Sequence, residues 1–189
     1  LNDRAAAVGR PLADAPVPSN ERVPDVVGST ALEIVGDAST PLDQVERLER
    51  ALREGFYSDG SDGVSRAGHT AERISSMLTA PVLIGDDEQY AVAMALMARA
   101  LGIPARVVLG FYPTDEATAA SPLAVTGTMA HVWVDVPFDG VGWVAFDPTP
   151  DRDRVPQTEV PKPKPQPRPQ VITLPEPPSI SSVDPFDDP

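Results

Sequence analysis

The chain has 189 residues, of which 41% are hydrophobic, enough for one ordinary domain with a real core. Its 15 basic and 28 acidic residues give a net charge of −13, which argues against a nucleic-acid or anionic-membrane partner because both need Lys and Arg to neutralise phosphate. Cysteine is absent, which excludes disulfides, cysteine-ligated zinc, iron–sulfur clusters and a cysteine nucleophile. Two histidines are too few for a histidine-rich metal cage.

The N-terminal part predicts a flexible segment followed by two amphipathic helices. Residues 1–20 are rich in Pro and Ala and show no clear period. Thr40 is the expected N-cap of the first helix, with Pro41 in its first turn, and Gly55 is its expected C-cap. Apolar residues recur along this helix at helical spacing: Leu42, Val45, Leu48 and Leu52. Residues 56–63 predict a loop, and Thr70 the cap of a second, short helix.

A third helix is predicted to be buried on nearly all sides. Asp86 is its expected N-cap, and Gln89 stands at the capping-box position three residues later. From residue 90 to residue 101 the chain is almost entirely Ala, Val, Met and Leu, and such a helix has no solvent-facing side. Gly102 and Pro104 then end it.

The pattern next changes to the alternation typical of strands. Residues 105–112 are β-branched and aromatic, and residues 131–136 place valines on one face and His131, Trp133 and Asp135 on the other. Residues 138–142 form a turn, and residues 143–146 return as a further strand. A buried helix followed by an antiparallel sheet is an α+β arrangement.

The C-terminal part predicts a semi-rigid tail. Of 23 prolines, 11 lie from Pro156 onward, and residues 161–169 alternate proline with polar residues, which favours extended polyproline II. We therefore divide the chain into a flexible segment, 1–20, a domain, 21–150, and a Pro-rich disordered tail or spacer, 151–189.

Several central motifs together resemble the transglutaminase-like core, a bacterial branch of the papain-like superfamily. They occur in this order: Gly85-Asp86-Asp87-Glu88-Gln89-Tyr90-Ala91, Gly102-Ile103-Pro104-Ala105-Arg106, His131-Val132-Trp133 and Trp143-Val144-Ala145-Phe146-Asp147-Pro148-Thr149. The match covers residues 85–150. The resemblance implies the transglutaminase-like fold.

The resemblance also implies the positions of a catalytic triad. Members of the family carry a Cys at the start of the buried helix, a His that transfers protons, and an Asp that orients the His. His131 matches the His, Asp147 matches the Asp, and Asp87 stands at the Cys position. We place Trp133, Gln89 and Tyr90 in the adjoining pocket, and no cofactor is implied.

A hydrogen bond between His131 and Asp147 requires that both face the same side of the sheet. Direct pairing of the two residues needs an odd-length connection, such as residues 138–140 with glycine in a left-handed bulge position. A two-residue Asp139-Gly140 turn would put Pro148 opposite His131 and turn Asp147 to the other face.

Simpler interpretations of the same residues compete with these roles. Asp87, with its acidic neighbours, would interact favourably with the positive N-terminal end of the helix dipole. Asp147 before proline is an ordinary turn residue. Arg106 is more often a structural partner of a buried carboxylate than a catalytic group. His69 has no evident partner and is treated as a surface residue.

Three functions remain open. The first is a catalytically inactive module that binds a peptide or protein ligand, because a carboxylate is a far poorer nucleophile than a thiolate. The second is an amide or isopeptide hydrolase with Asp87 as general base, His131 as acid and Asp147 as orienter. The third is a metal site formed by the same three residues. Bacterial relatives often sit between membrane helices, so we expect the soluble, extracytoplasmic part of a bacterial membrane protein.

Overall fold

The structure is a computed structural model that describes residues 10–13, 15–17, 22–61, 63–111 and 125–156. The α-helices of the described residues are α1 (Asp25–Val35), α2 (Pro41–Arg53), α3 (Ala71–Thr79) and α4 (Asp87–Ala100), and Gly127–Met129 form a short 3-10 helix. The strands are β1 (Phe56–Tyr57), β2 (Ile84–Gly85), β3 (Arg106–Phe111), β4 (Ala130–Phe138) and β5 (Gly142–Phe146). No helix within the described residues has the length and hydropathy needed to cross a membrane.

The predicted N-caps of α2 and α3 are confirmed. The Thr40 hydroxyl accepts the Asp43 N–H at the start of α2, and the Thr70 hydroxyl accepts the Arg73 N–H at the start of α3. Helix α2 ends one residue earlier than predicted, with Glu54 as C-cap and Gly55 directly after it. Gly55 is required for another reason, because a Cβ there would collide with the Tyr90 hydroxyl.

Helix α4 is the centre of the core, as its composition predicted. Asp86 and Gln89 form the reciprocal capping box, which satisfies backbone N–H groups at its first turn. Beyond its end, Gly102 takes a left-handed conformation with φ of 77°. The helix packs against β4, α1 and α2, and its fully or nearly fully buried apolar residues are Tyr90, Ala91, Ala93, Met94, Ala95, Met97 and Ala98.

Two features of the N-terminal half were not predicted. Helix α1 begins after Pro24 without a side-chain cap, yet Val27, Ala31 and Val35 bury one face of it against the core. Strand β1 lies in the predicted loop and pairs in parallel with β2, through Phe56 opposite Ile84. This pair is only two residues long and therefore too short to leave a periodic signal in the sequence.

Strands β3, β4 and β5 form an antiparallel sheet in that spatial order. Valines 134 and 136 and Phe138 of β4 are buried beside Val144 and Phe146 of β5, and they form the core face of the sheet. Gly110 of β3 lies opposite His131 of β4. The predicted α+β order of a buried helix followed by an antiparallel sheet is therefore confirmed.

The connection between β4 and β5 has an odd length, but not the one predicted. Phe138 pairs with Gly142, so the turn comprises residues 139–141 rather than 138–140, and Gly140 has φ of 75°. Strand β5 ends at Phe146, so Asp147 lies beyond the paired residues and is not the direct partner of His131. In this register the position opposite His131 lies two residues further along the chain than predicted. Two is an even number, so Asp147 still faces the same side of the sheet as His131.

Both ends of the predicted domain reach further than expected. In the N-terminal segment, Pro11 bridges to Phe138, and the Leu12 N–H donates to the Pro137 carbonyl at 3.1 Å. Residues 151–155, assigned from sequence to the tail, lie against β1, where the Tyr57 N–H donates to the Arg154 carbonyl at 2.9 Å. We call residues 151–155 the strap. The Pro-rich part, 157–189, lies outside the described residues.

Candidate functional site

His131 and Asp147 meet as predicted. His131 Nε2 lies 3.0 Å from Asp147 Oδ2, within the separation expected of an orienting hydrogen bond. The second carboxylate oxygen, Oδ1, accepts the Thr149 N–H at 3.0 Å and forms an Asx turn. Asp147 is therefore both an ordinary turn residue and the partner of the histidine, and these two interpretations do not exclude each other.

His131 also contacts Asp87, which is the first residue of helix α4. Nδ1 of the ring lies 2.5 Å from Asp87 Oδ2. Both side chains are nearly buried, with 13% of His131 and 10% of Asp87 exposed. The ring thus lies between two carboxylates, one at each nitrogen, and it donates to both only as an imidazolium that carries two N–H groups.

Arg152 is a member of the site that the sequence did not reveal. Its Nη2 lies 2.9 Å from the same Oδ2 of Asp87, and its guanidinium carbon lies 5.6 Å from the centre of the Tyr57 ring. In the sequence it stands in an acidic Asp151-Arg152-Asp153 run that is typical of a solvated turn. The other oxygen of Asp87, Oδ1, is buried and has no hydrogen-bond partner among the residues that the structure describes.

The charges of the three central groups stabilise one another. The hydrogen bond with Asp147, followed by that with Asp87, raises the pKa of His131 to about 9. Burial raises the pKa of Asp87, but the hydrogen bond and charge of His131, together with Arg152, outweigh burial and hold it below its usual range. Burial likewise opposes ionisation of Asp147, and the bonds from His131 and the Thr149 N–H again lower its pKa. At neutral pH the site is therefore an imidazolium between two carboxylates.

Helix α2 fixes the backbone of Asp147. Glu49 Oε1 accepts the Asp147 N–H at 2.7 Å, and Arg53 Nη1 donates to the Asp147 carbonyl at 3.3 Å. Glu49 is only 8% exposed. It stands four residues after Val45, within the apolar stripe of α2, and a carboxylate in an apolar stripe is the signal that could have identified it.

Trp133 lies beside His131, as expected of a wall of the site. The two rings stack with centroids 6.4 Å apart and an angle of 21° between them. The Trp133 indole N–H donates to Asp135 at 3.0 Å, and Arg106 donates to the other oxygen of Asp135 at 3.1 Å. The prediction that Arg106 pairs with a buried carboxylate is confirmed, and its guanidinium also lies 3.7 Å from the centre of the Trp143 ring.

Gln89 and Tyr90, which we predicted to line the pocket, are completely buried. The Gln89 amide bonds to Arg73 and to the backbone of Arg66 at 2.8 and 2.6 Å. The Tyr90 hydroxyl donates to backbone carbonyls of the β1–β2 region. Both residues therefore stabilise the loops beneath the site and offer no polar group to a ligand, because their polar groups are already bonded within the fold.

His69 is a surface residue, as predicted, with 58% of its side chain exposed. No partner was evident from the sequence, but its Nδ1 contacts Glu88, the residue that follows Asp87 in α4. His69 therefore ties the loop before α3 to the first turn of α4 and lies outside the central group.

A model of the transglutaminase-like superfamily matches residues 28–148. The chain belongs to this superfamily. Among curated proteins, YebA of Bacillus subtilis is 28% identical over 133 residues, which are 68% of this chain and 18% of YebA. A protein-glutamine gamma-glutamyltransferase of Pseudomonas aeruginosa is 45% identical over 60 residues, which are 32% of this chain and 9% of that enzyme. The chain thus spans a minor part of each of these relatives.

Solved structures agree with the transglutaminase-like fold. The periplasmic domain of TgpA from Pseudomonas aeruginosa has a TM-score of 0.52 and 28% identity, and the similarity covers 72% of this chain and 46% of that domain. A protein from Cytophaga hutchinsonii also has a TM-score of 0.52, at 18% identity, covering 82% of this chain and 49% of that one. The second likeness concerns the fold alone. The predicted family and fold are confirmed, and the chain is a transglutaminase-like domain homologous to the periplasmic domain of TgpA.

The transglutaminase-like site of this chain does not form a metal centre. Asp87 and Asp147 bind opposite nitrogens of His131, so the three groups lie in a row along the imidazole rather than around one point. Over the part of the chain that the structure describes, no group of three or more His, Cys, Asp and Glu could hold a metal ion. The metal hypothesis is therefore wrong for these residues.

Proposed function

We propose that this transglutaminase-like domain is a non-catalytic module that binds a peptide or protein ligand at the site around His131. The observation that carries the proposal is the pairing of Asp87 with both His131 and Arg152 at the position of the family's nucleophile. A carboxylate held by two cations is a weak nucleophile toward an amide, and the anhydride that it would form lies uphill in free energy.

The charge state of the site argues against the alternative of an Asp87-dependent hydrolase. A general base works best when its pKa lies near the operating pH, whereas the pKa of Asp87 is held below its usual range. Its Oδ2 is bonded to His131 and Arg152, and its Oδ1 is buried, so neither oxygen is open to an attacking water. His131, as an imidazolium, cannot accept a proton either.

The proposed location is outside the cytoplasm, in a bacterial membrane protein. Homology to a periplasmic domain supports this location. The net charge of −13 is compatible with a protein ligand rather than with phosphate-rich polymers.

The test is an assay of turnover and binding on the same samples. A glutamine-containing peptide and a primary amine are incubated with the native chain and with Asp87→Asn, and ammonia release and peptide mass are followed. We expect no product above the protein-free blank. Product formed by the native chain and lost in Asp87→Asn would establish the hydrolase instead.

Binding is measured on the native chain by two-dimensional NMR with the same peptide. Shifts of the resonances of His131 and Trp133 at millimolar peptide are expected, without any change in peptide mass. An unperturbed spectrum would contradict the binding role.

A further inference from the structure

The groups around the Arg152 guanidinium are suited to bind such a cation, and we call this position the seat. A carboxylate, a backbone carbonyl and an aromatic ring surround it: Asp87 Oδ2 at 2.9 Å, the Ala130 oxygen at 3.4 Å and the Tyr57 ring centre at 5.6 Å. A carboxylate and a carbonyl accept N–H groups of the planar fork, and a ring face attracts the delocalised cation. These groups belong to three separate elements, α4, β4 and β1, and together they contact one cation from three directions.

Arg152 is one of two cations that pair with the carboxylates of the site. Two carboxylates, Asp87 and Asp147, face the two cations His131 and Arg152. Removing Arg152 leaves one negative charge in excess at a site where Asp87 is 10% exposed and its Oδ1 has no hydrogen-bond partner within the described part of the chain. A nearly buried carboxylate is stabilised by each cation that contacts it, so Asp87 without Arg152 favours the binding of another cation.

The arginine that fills the seat is displaceable. Its side chain is 50% exposed, and it is carried by the strap, which is hydrogen-bonded to β1 through the Arg154 carbonyl. Only the arginine end of this ion pair is half exposed, so the guanidinium can leave Asp87 by rotation of its own side chain into solvent. A ligand cation can therefore compete with it.

We infer that the Asp87 end of the site is a subsite for the guanidinium group of an arginine in a peptide ligand, and that Arg152 occupies it as an internal competitor. This inference rests on the proposed binding function and specifies the chemistry of its ligand. The apparent affinity for a ligand equals the intrinsic affinity multiplied by the fraction of time that Arg152 leaves the seat empty.

The test compares a charged probe with its neutral isostere. Nα-acetyl-arginine-N-methylamide and the matching citrulline compound are titrated into the native chain, Arg152→Ala and Arg154→Ala, and the resonances of Tyr57 and His131 are followed by NMR. Arg154 is the matched control, because it also belongs to the strap but pairs with Glu54, away from Asp87.

We expect Arg152→Ala to bind the arginine probe about tenfold more tightly than the native chain, since the competitor is gone. Arg154→Ala should bind like the native chain, and the citrulline probe should not bind. Adding Asp87→Asn to Arg152→Ala should abolish the gain. Equal binding of both probes, or no gain in Arg152→Ala, would overturn the inference.

Arg152→Gln serves if the alanine variant folds poorly, because it removes the charge and keeps most of the side chain. The proposed function fails separately. A native chain that turns over the glutamine peptide would refute that proposal, whereas a native chain that binds this peptide but has no preference for arginine refutes only the subsite.

Discussion

Asp87 Oδ2 and His131 Nδ1 are 2.5 Å apart, so the first residue of the central helix and the first part of the central strand are joined by an ion pair. The motif resemblance places Asp87 at the helix position of the family's nucleophile. The contact adds to the hydrogen bond with Asp147 in raising the pKa of His131, and it lowers the pKa of Asp87 against the effect of burial.

The first prediction concerns the dependence of stability on pH. The pKa of His131 is raised from 6.5 to about 9, so its contribution is fully present below about pH 6.5 and is lost as pH rises through about 9. The pKa values of Asp87 and Asp147 are lowered from 3.8, so their contributions are present above that value and are lost as pH falls through the lowered values. The site therefore contributes most to stability between about pH 4 and 6.5.

Urea unfolding at a series of pH values measures this effect. Between pH 6.5 and pH 9.5 the native chain should lose roughly 3 kcal/mol of unfolding free energy through His131, since one unit of pKa corresponds to about 1.4 kcal/mol. His131→Gln should show a shallower decline over the same range. Parallel curves for the two proteins would show that other groups cause the decline.

The second prediction concerns the hydrogen bond between the Asp147 N–H and the Glu49 carboxylate. Glu49→Ala should lower the unfolding free energy by about 1–3 kcal/mol, because the part-buried Asp147 N–H loses its acceptor. Glu49→Gln keeps an acceptor oxygen and should retain most of the stability. Glu33→Ala, on the exposed side of α1, is the control. A Glu49→Gln variant as unstable as Glu49→Ala would mean that the charge of Glu49, and not its hydrogen bond, is what matters.

The third prediction concerns the close approach of Trp133 to β3. A Cβ on Gly110 would lie 2.5 Å from Trp133 Cη2, so Gly110→Ala must displace the indole. We expect a loss of about 1–3 kcal/mol, which is usual for overpacking. Gly127→Ala is the matched control because nothing lies within 4 Å of its Cβ position. Thermal unfolding measures the melting temperatures. An equal decrease in both variants would contradict this role of Gly110.

The sequence predicted those parts of the fold that depend on local signals. Thr40, Thr70 and the Asp86–Gln89 capping box mark helix starts through hydrogen bonds within three residues, and each is observed. Helix α1 was missed because it lacks a side-chain cap and is stabilised by tertiary packing. The turn was displaced by one residue because an odd-length connection fits several registers.

The residues of the candidate site also differ in whether the sequence could identify them. The motif resemblance identified Asp87, His131 and Asp147, and the structure brings all three together. Arg152 and Glu49 could not be assigned, because their contacts span 65 and 98 residues and depend on how the strap and α2 pack. Gln89 and Tyr90 were misassigned to the pocket, because a polar residue near a motif does not show whether its partners are a ligand or the protein itself.

The fourth prediction restores a thiol at the nucleophile position. In Asp87→Cys the thiol would lie at the N-terminus of α4 beside His131 and Arg152, and these cations and the helix dipole should lower its pKa below the usual value of about 8.5. The ultraviolet absorbance of the thiolate should therefore appear at a lower pH than in Ser76→Cys, on the exposed side of α3. The native chain has no cysteine, so each variant offers a single thiol. A thiolate that appears at the same or a higher pH in Asp87→Cys would mean that the position is not activated.

The central claim is that Asp147 and Asp87 together hold His131 as an imidazolium, and an NMR titration of His131 tests it most directly. His69→Gln assigns the two histidine signals. We predict that His131 titrates near pH 9 in the native chain. Asp87→Asn should lower its pKa by about one unit or more, through loss of one neighbouring charge. The fold should remain intact, since Asp86 still caps the helix. A His131 pKa near 6.5 in the native chain, or one unchanged in Asp87→Asn, would contradict the claim and reduce Asp87 to a charge at the end of a helix.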